Sequence, residues 1–322
     1  MVDQKRIDEA LKEVRKKFGP DAARRGSKAR AERQFIQTGA LALDRVLGGG
    51  YIRGRTYELY GDESTGKTTL ACSAIERVQA ADGVAAYIDV ERAIDWDYVE
   101  ALGVNTDDLI FLEPKTAEDG LEMVRDLVLK GVDLVCCDTV AALASRAEKK
   151  GDIGDAHVGI LPRLMSQAMK IVTSDVKDAG SVLLFLNQVR EKVGVMWGEK
   201  ETTPGGKALK FYSSGRLQVS PGTLIKRGKG TSKERSIGRW VRVFIKKSKT
   251  SVPLQTVRFP LIFGEGIDRG REIFLVAKDA GLLTKKGKWY AWEDRKWNGE
   301  PGFLKAVKKD PGLIDEIRAA LG

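Results

Sequence analysis

Cysteine and histidine are scarce in this sequence of 322 residues, which contains three cysteines and one histidine. Cys72, Cys136 and Cys137 form no C-x-x-C pair and no cluster with His157, so the spacing of a zinc site is missing. The two adjacent cysteines lie in an apolar run, where neighbouring strand residues point to opposite faces. We therefore expect three small buried thiols in a reducing compartment, and no catalytic role for His157.

Long hydrophobic runs are missing as well. No apolar stretch is long enough to cross a bilayer, and the first residues are polar where a signal peptide would be apolar. We therefore expect a cytoplasmic protein with no membrane partner. The formal net charge is +10 and the pI is about 9.4. This positive excess suits a polyanionic partner without identifying one.

Three regions differ in pattern, which predicts domains at residues 1–33, 34–268 and 269–322. In the first, a helix is predicted over residues 4–18, with Ile7, Leu11, Val14 and Phe18 on one face, followed by a basic linker predicted to be exposed. This apolar stripe must dock on the chain's own core or on another molecule, and the pattern favours neither. The last region, rich in tryptophan and lysine, is predicted to be a small α+β domain.

The middle region alternates strands and helices. Apolar or alternating runs predict strands at residues 56–60, 84–89, 109–112, 134–138 and 182–187, and a helix at residues 68–80. Repeated strand–helix alternation is typical of an α/β fold with a mostly parallel central sheet that is covered on both faces.

One motif in this region carries recognisable chemistry. Eight residues between a predicted strand and a predicted helix fit G-x-x-x-x-G-K-[ST]: Gly61, Asp62, Glu63, Ser64, Thr65, Gly66, Lys67 and Thr68. In such a loop the glycines let the backbone approach phosphate oxygens, the lysine neutralises them and the hydroxyl binds Mg²⁺. The motif therefore predicts a site for ATP and Mg²⁺.

Two carboxylates are candidates for completing that site. Asp138 ends an apolar strand and would hold the metal ion together with Thr68. Glu91 follows another strand, at the edge of a parallel sheet where nucleotides bind, so it is a candidate for activating water. The position alone favours a surface glutamate over a catalytic one. We predict that the site hydrolyses ATP.

Two polar segments that contain glycine interrupt the core, at residues 151–159 and 189–207. The second mixes cations with apolar side chains, which suits the phosphates and bases of single-stranded DNA, although a solvated insertion has the same composition. A basic run at residues 226–242, with lysines at 285, 286 and 288, is either a solvated face or a site for duplex DNA.

Nine motifs, in order along nearly the whole chain, resemble those of bacterial RecA recombinases. They are GDESTGKTT at 61–69, YIDVE at 87–91, DTVAAL at 138–143, IGDAHVG at 153–159, MSQAM at 165–169, NQVR at 187–190, GVMWG at 194–198, TTPGGKALKFY at 202–212 and GEGI at 264–267. The resemblance implies a RecA-type ATPase core and a helical filament that forms with ATP on single-stranded DNA. It also implies pairing and strand exchange with homologous double-stranded DNA.

The resemblance also assigns roles around the nucleotide. Glu91 matches the family's water-activating glutamate, and Gln188 matches the residue that senses the γ-phosphate and begins the second DNA-binding segment. Thr69 extends the phosphate loop. Asp95 and Tyr98 match positions that contact adenine.

Further residues match positions at the subunit interface. Phe263 lies where an aromatic of the neighbouring subunit covers the adenine, and Phe211 matches a residue that relays nucleotide state between neighbours. Lys247 and Lys249 match a lysine pair that reaches the neighbour's γ-phosphate. The helix over residues 4–18 matches one that docks on the adjacent subunit, which decides the alternative left open above.

The residues that the resemblance places at DNA are Val158, Arg163, Arg190, Lys192, Val193, Trp197, Gly205, Gly206 and Lys207. Among the departures from the family pattern, Trp197 replaces a phenylalanine and Glu191 puts an acid in a segment meant to meet phosphates. The sequence ends at Gly322 without the acidic run found in many relatives, so we expect less restrained uptake of duplex DNA. The rival interpretations are a small-molecule kinase, a mediator that exchanges no strands, and a ring helicase. A repressor or mediator protein as a further partner is left open.

Overall fold

The computed structural model describes residues 3–29, 33–152, 159–191, 201–228, 230 and 234–321. The chain divides into two compact units, residues 1–34 and residues 35–322. Throughout these described ranges, no helix is long and apolar enough to span a membrane.

The helices of the described residues are α1 (Gln4–Phe18), α2 (Gly26–Ala29), α3 (Leu41–Leu47), α4 (Lys67–Gln79), α5 (Trp96–Ala101), α6 (Ala117–Leu129), α7 (Arg146–Lys150), α8 (Ile160–Ala179), α9 (Ala208–Tyr212), α10 (Arg269–Asp279), α11 (Gly299–Lys309) and α12 (Gly312–Leu321). A short 3₁₀ turn lies at Val140–Ala142.

The strands of the same residues are β1 (Phe35–Ile36), β2 (Tyr51–Ile52), β3 (Arg55–Gly61), β4 (Ala85–Asp89), β5 (Leu109–Leu112), β6 (Leu134–Asp138), β7 (Val182–Gln188), β8 (Arg190–Glu191), β9 (Glu201–Thr202), β10 (Gly215–Arg227), β11 (Arg235–Ser248), β12 (Thr256–Ile262), β13 (Gly266–Ile267), β14 (Thr284–Lys286), β15 (Trp289–Trp292) and β16 (Arg295–Asn298).

The first unit is the predicted N-terminal helix with the segment that follows it. Helix α1 spans the predicted residues and begins at Asp3, whose carboxylate accepts hydrogen bonds from the first free backbone N–H groups. The following segment, predicted to be an exposed linker, contains the short helix α2. Arg25 donates hydrogen bonds to Gln4 and Asp8 of α1, both at 2.6 Å, so the segment folds back along the helix.

A nine-stranded sheet in the order β13-β12-β11-β10-β3-β7-β6-β4-β5 forms the centre of the second unit. From β10 to β5 all five neighbouring pairs are parallel, whereas the three pairs from β10 to β13 are antiparallel. The predicted α/β fold with a mostly parallel sheet is therefore confirmed, and the predicted strands lie within a residue of their observed bounds. The antiparallel extension was not predicted.

The core has two apolar layers, one on each face of this sheet. Along β6, Cys136 belongs to one layer and Cys137 to the other, because successive strand residues point to opposite faces. The predicted buried thiols are confirmed, and burial raises the pKa of Cys72 and of Cys137 to about 12. These thiols therefore stay protonated at neutral pH.

A third apolar cluster joins α10, α11 and α12 to the antiparallel sheet β14-β15-β16. Trp292 and Trp297 are buried in it, and the Trp297 ring lies edge-on to Phe303 at 5.0 Å between centroids. Trp289 is half exposed. The division of the second unit into domains at residues 34–268 and 269–322 stays a prediction.

Candidate active site

The phosphate-loop motif connects β3 to α4, the order that the motif requires. A Cβ at Gly61 would lie 2.0 Å from the carbonyl oxygen of Val219, so only glycine fits there. Gly66 has φ +98°, in the left-handed region, and directly precedes the first residue of α4. The loop thus turns sharply and presents the N-terminus of a 13-residue helix, which favours an anion.

Lys67 is the buried cation of this loop. Its Nζ donates hydrogen bonds to the carbonyl oxygens of Gly61 at 3.0 Å and Asp62 at 2.6 Å. Burial lowers the pKa of Lys67, while the negative charges of Asp138 and Glu91 act in the opposite direction. The ammonium group is therefore held beside the loop by backbone oxygens that phosphate oxygens can replace.

Asp138 lies at the end of β6, opposite the start of α4. Its Oδ2 accepts hydrogen bonds from the Thr68 hydroxyl at 3.0 Å and from the Tyr87 hydroxyl at 2.5 Å. Burial raises the pKa of Asp138, and these two hydrogen bonds lower it. A hydroxyl and a carboxylate side by side are oxygen ligands that Mg²⁺ prefers, so Thr68 and Asp138 fit the predicted metal.

Tyr87 was missed by the sequence analysis. A tyrosine in a strand that is otherwise apolar was the available signal, because a buried phenolic hydroxyl usually has a hydrogen-bond partner. Burial and the neighbouring Asp138 raise the pKa of Tyr87 well above its ordinary value, so it remains a donor.

Glu91 lies just after β4, in a turn held by Asp89, whose carboxylate accepts three backbone N–H groups. Gln188, the last residue of β7, donates a hydrogen bond from Nε2 to Oε1 of Glu91 at 3.0 Å. Burial raises the pKa of Glu91, with the charges of Asp138 and Asp89 adding to the effect and Lys67 opposing it. A carboxylate with a raised pKa is a stronger proton acceptor when ionised.

A cavity of about 300 Å³ opens beside the loop. Tyr98 lines it, and its hydroxyl lies 2.7 Å from the Thr69 hydroxyl. Asp95 caps α5 by accepting a hydrogen bond from the backbone N–H of Tyr98. The lining residues are Ser64, Thr65, Gly66, Lys67, Thr68, Thr69, Tyr98, Arg239, Leu261 and Phe263.

Phe263, which the resemblance places over a neighbouring subunit's adenine, also lines this cavity, and its assignment to the neighbour stays a prediction. Phe263 lines the cavity of its own chain and is 48% exposed. It follows β12, whose Leu261 lies close to Gly66, where a Cβ would be 3.2 Å away. Because β12 belongs to the same sheet as the loop, its end is placed beside the chain's own site.

Arg239 is a second residue that the sequence analysis missed, since it lay in the basic run interpreted as a solvated face or a duplex site. Its guanidinium donates a hydrogen bond to the carbonyl oxygen of Ser64 at 3.3 Å, within the phosphate loop. Arg242, three residues further on, instead bonds the Ser220 hydroxyl. Arg239 and Arg242 both lie on β11, at positions that point to opposite faces, and a period of two was the signal that could have separated these arginines.

The lysine pair and Phe211 form a second cluster. Lys247 Nζ donates to the carbonyl oxygens of Lys210 at 2.6 Å and Phe211 at 3.0 Å, and Lys249 Nζ donates to that of Phe211 at 3.3 Å. Burial lowers the pKa of Lys247 to about 8, and the charges of Lys249 and Arg216 add to the effect. Phe211 is 67% exposed. None of these residues lines the cavity described above.

The second predicted DNA segment begins and ends as a short hairpin, in which Arg190 pairs with Thr202. Gly206, at φ +73°, lies against Pro162 of α8, where a Cβ would be 2.9 Å from the proline ring. Gly205 lies similarly close to Val140. Three predicted contacts are exposed in this region: Arg163, Arg190 and Lys207. Four more are outside the described residues: Val158, Lys192, Val193 and Trp197.

Comparison with known proteins identifies the family. The sequence model of the RecA N-terminal domain matches residues 5–268. Over 318 residues the chain is 45% identical to Protein RecA of Streptococcus mutans serotype c, covering 98% of this chain and 83% of that protein. It is also 45% identical to Protein RecA of Streptococcus agalactiae serotype III and of Streptococcus pyogenes serotype M5, covering 98% of this chain and 84% of each relative. The chain therefore belongs to the RecA family.

Proposed function

We propose that this chain is an ATP-dependent homologous DNA recombinase. It assembles with ATP into a helical filament on single-stranded DNA, pairs that strand with homologous double-stranded DNA and exchanges the strands. Hydrolysis of ATP, stimulated by DNA, releases the product. The covalent chemistry is confined to ATP, and the DNA rearrangement is driven by binding.

The hydrolytic half of this proposal is supported by the side chains around the phosphate loop. The loop N–H groups and Lys67 bind the phosphates, and Thr68 and Asp138 hold Mg²⁺, which neutralises charge on the phosphates when bound. Glu91 accepts a proton from the attacking water, in keeping with its raised pKa. Tyr98, Phe263 and Arg239 line the cavity that receives the nucleoside.

The single observation that carries the coupling to DNA is the position of Gln188. Its amide contacts Glu91 at 3.0 Å, and its backbone pairs with Gly61 of the phosphate loop. Two residues further on, Arg190 begins the hairpin that leads into the predicted DNA segment. A change of nucleotide at the loop therefore acts directly on the residue that precedes this segment.

Assembly is the other half of the proposal. On α1, Val14 is 38% and Phe18 67% exposed, which leaves an apolar stripe for a neighbouring subunit. We assign Lys247 and Lys249 to the neighbour's nucleotide and Phe211 to the relay between subunits. The exposed cations of the β10–β11 hairpin and of β14 are assigned to the homologous duplex: Lys226, Arg227, Lys285 and Lys286.

The test is the rate of ATP hydrolysis with and without single-stranded DNA, for the wild type, Lys67→Ala and Glu91→Gln. We expect strong stimulation by DNA in the wild type and a loss of at least about 10²-fold in both variants, the scale of a removed general base or charge stabiliser. Diluting the wild type below its assembly threshold should abolish the stimulated rate. A rate indifferent to DNA would instead favour the small-molecule kinase.

A further inference from the structure

A buried ion pair lies beneath the hairpin that leads into the second DNA segment. Arg216 of β10 donates from Nε to Oε2 of Glu58 on β3 at 2.5 Å, and the two side chains are 10% and 0% exposed. The guanidinium also stacks on the Tyr60 ring, 4.5 Å from its centroid. Desolvation makes such pairs poor contributors to net stability. Stability therefore does not explain this ion pair, and the other hydrogen-bond partners of Glu58 and Arg216 indicate its role.

Asn187 connects the pair to Gln188. Its Nδ2 donates to Oε1 of Glu58 at 3.0 Å, and its Oδ1 accepts the backbone N–H of Gln188 at 3.0 Å. The same Nδ2 lies 3.1 Å from the carbonyl oxygen of Pro204. One buried amide thus touches the proposed γ-phosphate sensor, the ion pair and the far end of the DNA segment.

Arg216 connects the ion pair to two further residues, Thr203 and Lys247. Its Nη2 lies 3.4 Å from the Thr203 hydroxyl, one residue before Pro204. In the pairing of β10 with β11, Arg216 stands directly opposite Lys247, whose ammonium holds the end of α9. The cluster of Glu58, Asn187 and Arg216, here named the Glu58 cluster, therefore contacts both ends of the proposed DNA segment and stands beside the lysine pair.

We propose that the Glu58 cluster is a set of positioning residues that makes the affinity for single-stranded DNA depend on the bound nucleotide. When Gln188 moves toward a γ-phosphate, its backbone N–H displaces the Asn187 side chain to which it is hydrogen-bonded. The contacts of Asn187 and of the Glu58–Arg216 pair transmit this displacement to residues 203–206. Glu58, Asn187 and Arg216 act in this proposal through other residues, and none of the three is assigned to the nucleotide or to DNA. The inference rests on the proposed function, since it explains how nucleotide binding is coupled to DNA binding in that function.

The experiment compares the affinity for a fluorescent oligodeoxythymidine in the presence of ADP and of a non-hydrolysable ATP analogue. The variants are Asn187→Ala and Arg216→Lys. Asn187→Ala removes the three contacts of the amide, with Glu58, Gln188 and Pro204. Arg216→Lys keeps the buried charge and loses the contact of Nη2 with the Thr203 hydroxyl. Nucleotide affinity without DNA and the thermal unfolding midpoint are measured in parallel. Arg53→Lys is the control. Arg53, which precedes β3, forms a 2.6 Å ion pair with Asp133 that is less buried, with the two side chains 30% and 24% exposed.

In the wild type and in Arg53→Lys, we expect the ATP analogue to tighten DNA binding within the roughly 5- to 150-fold range of allosteric coupling. The ratio of the DNA affinity with the ATP analogue to the DNA affinity with ADP should fall toward about onefold in both cluster variants. The nucleotide affinity should stay within about twofold of the wild type. If the cluster had only a structural role, the variants would bind DNA more weakly with both nucleotides, and the ratio of the two DNA affinities would not change.

A folded variant that keeps the wild-type ratio overturns the inference. If Asn187→Ala does not fold, Arg216→Lys decides, since its charge is retained. A wild type whose DNA affinity ignores the nucleotide contradicts the proposed function itself, so the two failures are distinguishable.

Discussion

Replacing Tyr87 by phenylalanine tests the description of the metal-side carboxylate. The change deletes one hydroxyl that donates to Oδ2 of Asp138 at 2.5 Å and leaves the ring in place. Hydrogen bonds to charged groups contribute about 1.5–3 kcal/mol. Because the Thr68 hydroxyl remains as a donor at 3.0 Å, we expect a loss at the lower end, about 1.5–2 kcal/mol in the free energy of unfolding.

The same change should move the pH profile of ATP hydrolysis. Burial already raises the pKa of Asp138, and the Tyr87 hydrogen bond opposes that effect. Without the hydroxyl the pKa rises further, so the protonated carboxyl persists to higher pH and the acid limb of the profile shifts upward.

Urea denaturation and DNA-stimulated hydrolysis across pH measure the two effects. Tyr98→Phe is the matched control, since it removes a neutral hydrogen bond to Thr69. It should cost about 0.5–1.5 kcal/mol and leave the acid limb in place. If Tyr87→Phe unfolded like the wild type and kept its acid limb, the reasoning about Asp138 would be refuted.

Three further outcomes are expected. Arg239→Gln should weaken binding of a fluorescent ADP analogue by about tenfold, because its charge lies in the cavity beside Ser64, and unchanged affinity would remove Arg239 from the site. Burial raises the pKa of Glu272 from 4.5 to about 7, so the folded chain binds a proton that the unfolded chain releases. Its stabilising effect is complete below pH 4.5 and is lost as the pH rises through about 7. Glu272→Gln should therefore make the free energy of unfolding, measured by denaturation, depend less on pH in this range. An unchanged pH dependence would contradict the raised pKa of Glu272. Gly61→Ala should destabilise the chain by at least about 1–3 kcal/mol and abolish nucleotide binding, since its Cβ would lie 2.0 Å from the Val219 carbonyl oxygen; wild-type nucleotide affinity would contradict this.

Features with a local pattern could be predicted from the sequence. The phosphate loop has fixed spacing between a strand and a helix, and β6 is a continuous apolar run, so both are evident from a few adjacent residues. Helix α1 was predicted at its observed bounds because its apolar residues repeat with the helical period and its end is marked by glycine.

Features that depend on distant pairing were not predictable in this way. Glu58 and Arg216 are 158 residues apart, and nothing near either residue indicates the other. Arg239 reaches the phosphate loop only because β11 pairs with β10, which lies beside β3. Phe263 lines the cavity beside the phosphate loop for the same reason, because β12 comes close to that loop only in the folded sheet.

Strand exchange between circular single-stranded DNA and homologous linear duplex DNA tests the central claim most directly. The account predicts exchanged products with the wild type and ATP, none without ATP, and none with Lys67→Ala. Glu91→Ala should bind DNA with ATP and fail to turn the nucleotide over. A wild type that hydrolyses ATP in response to single-stranded DNA but forms no exchanged product would contradict the recombinase function.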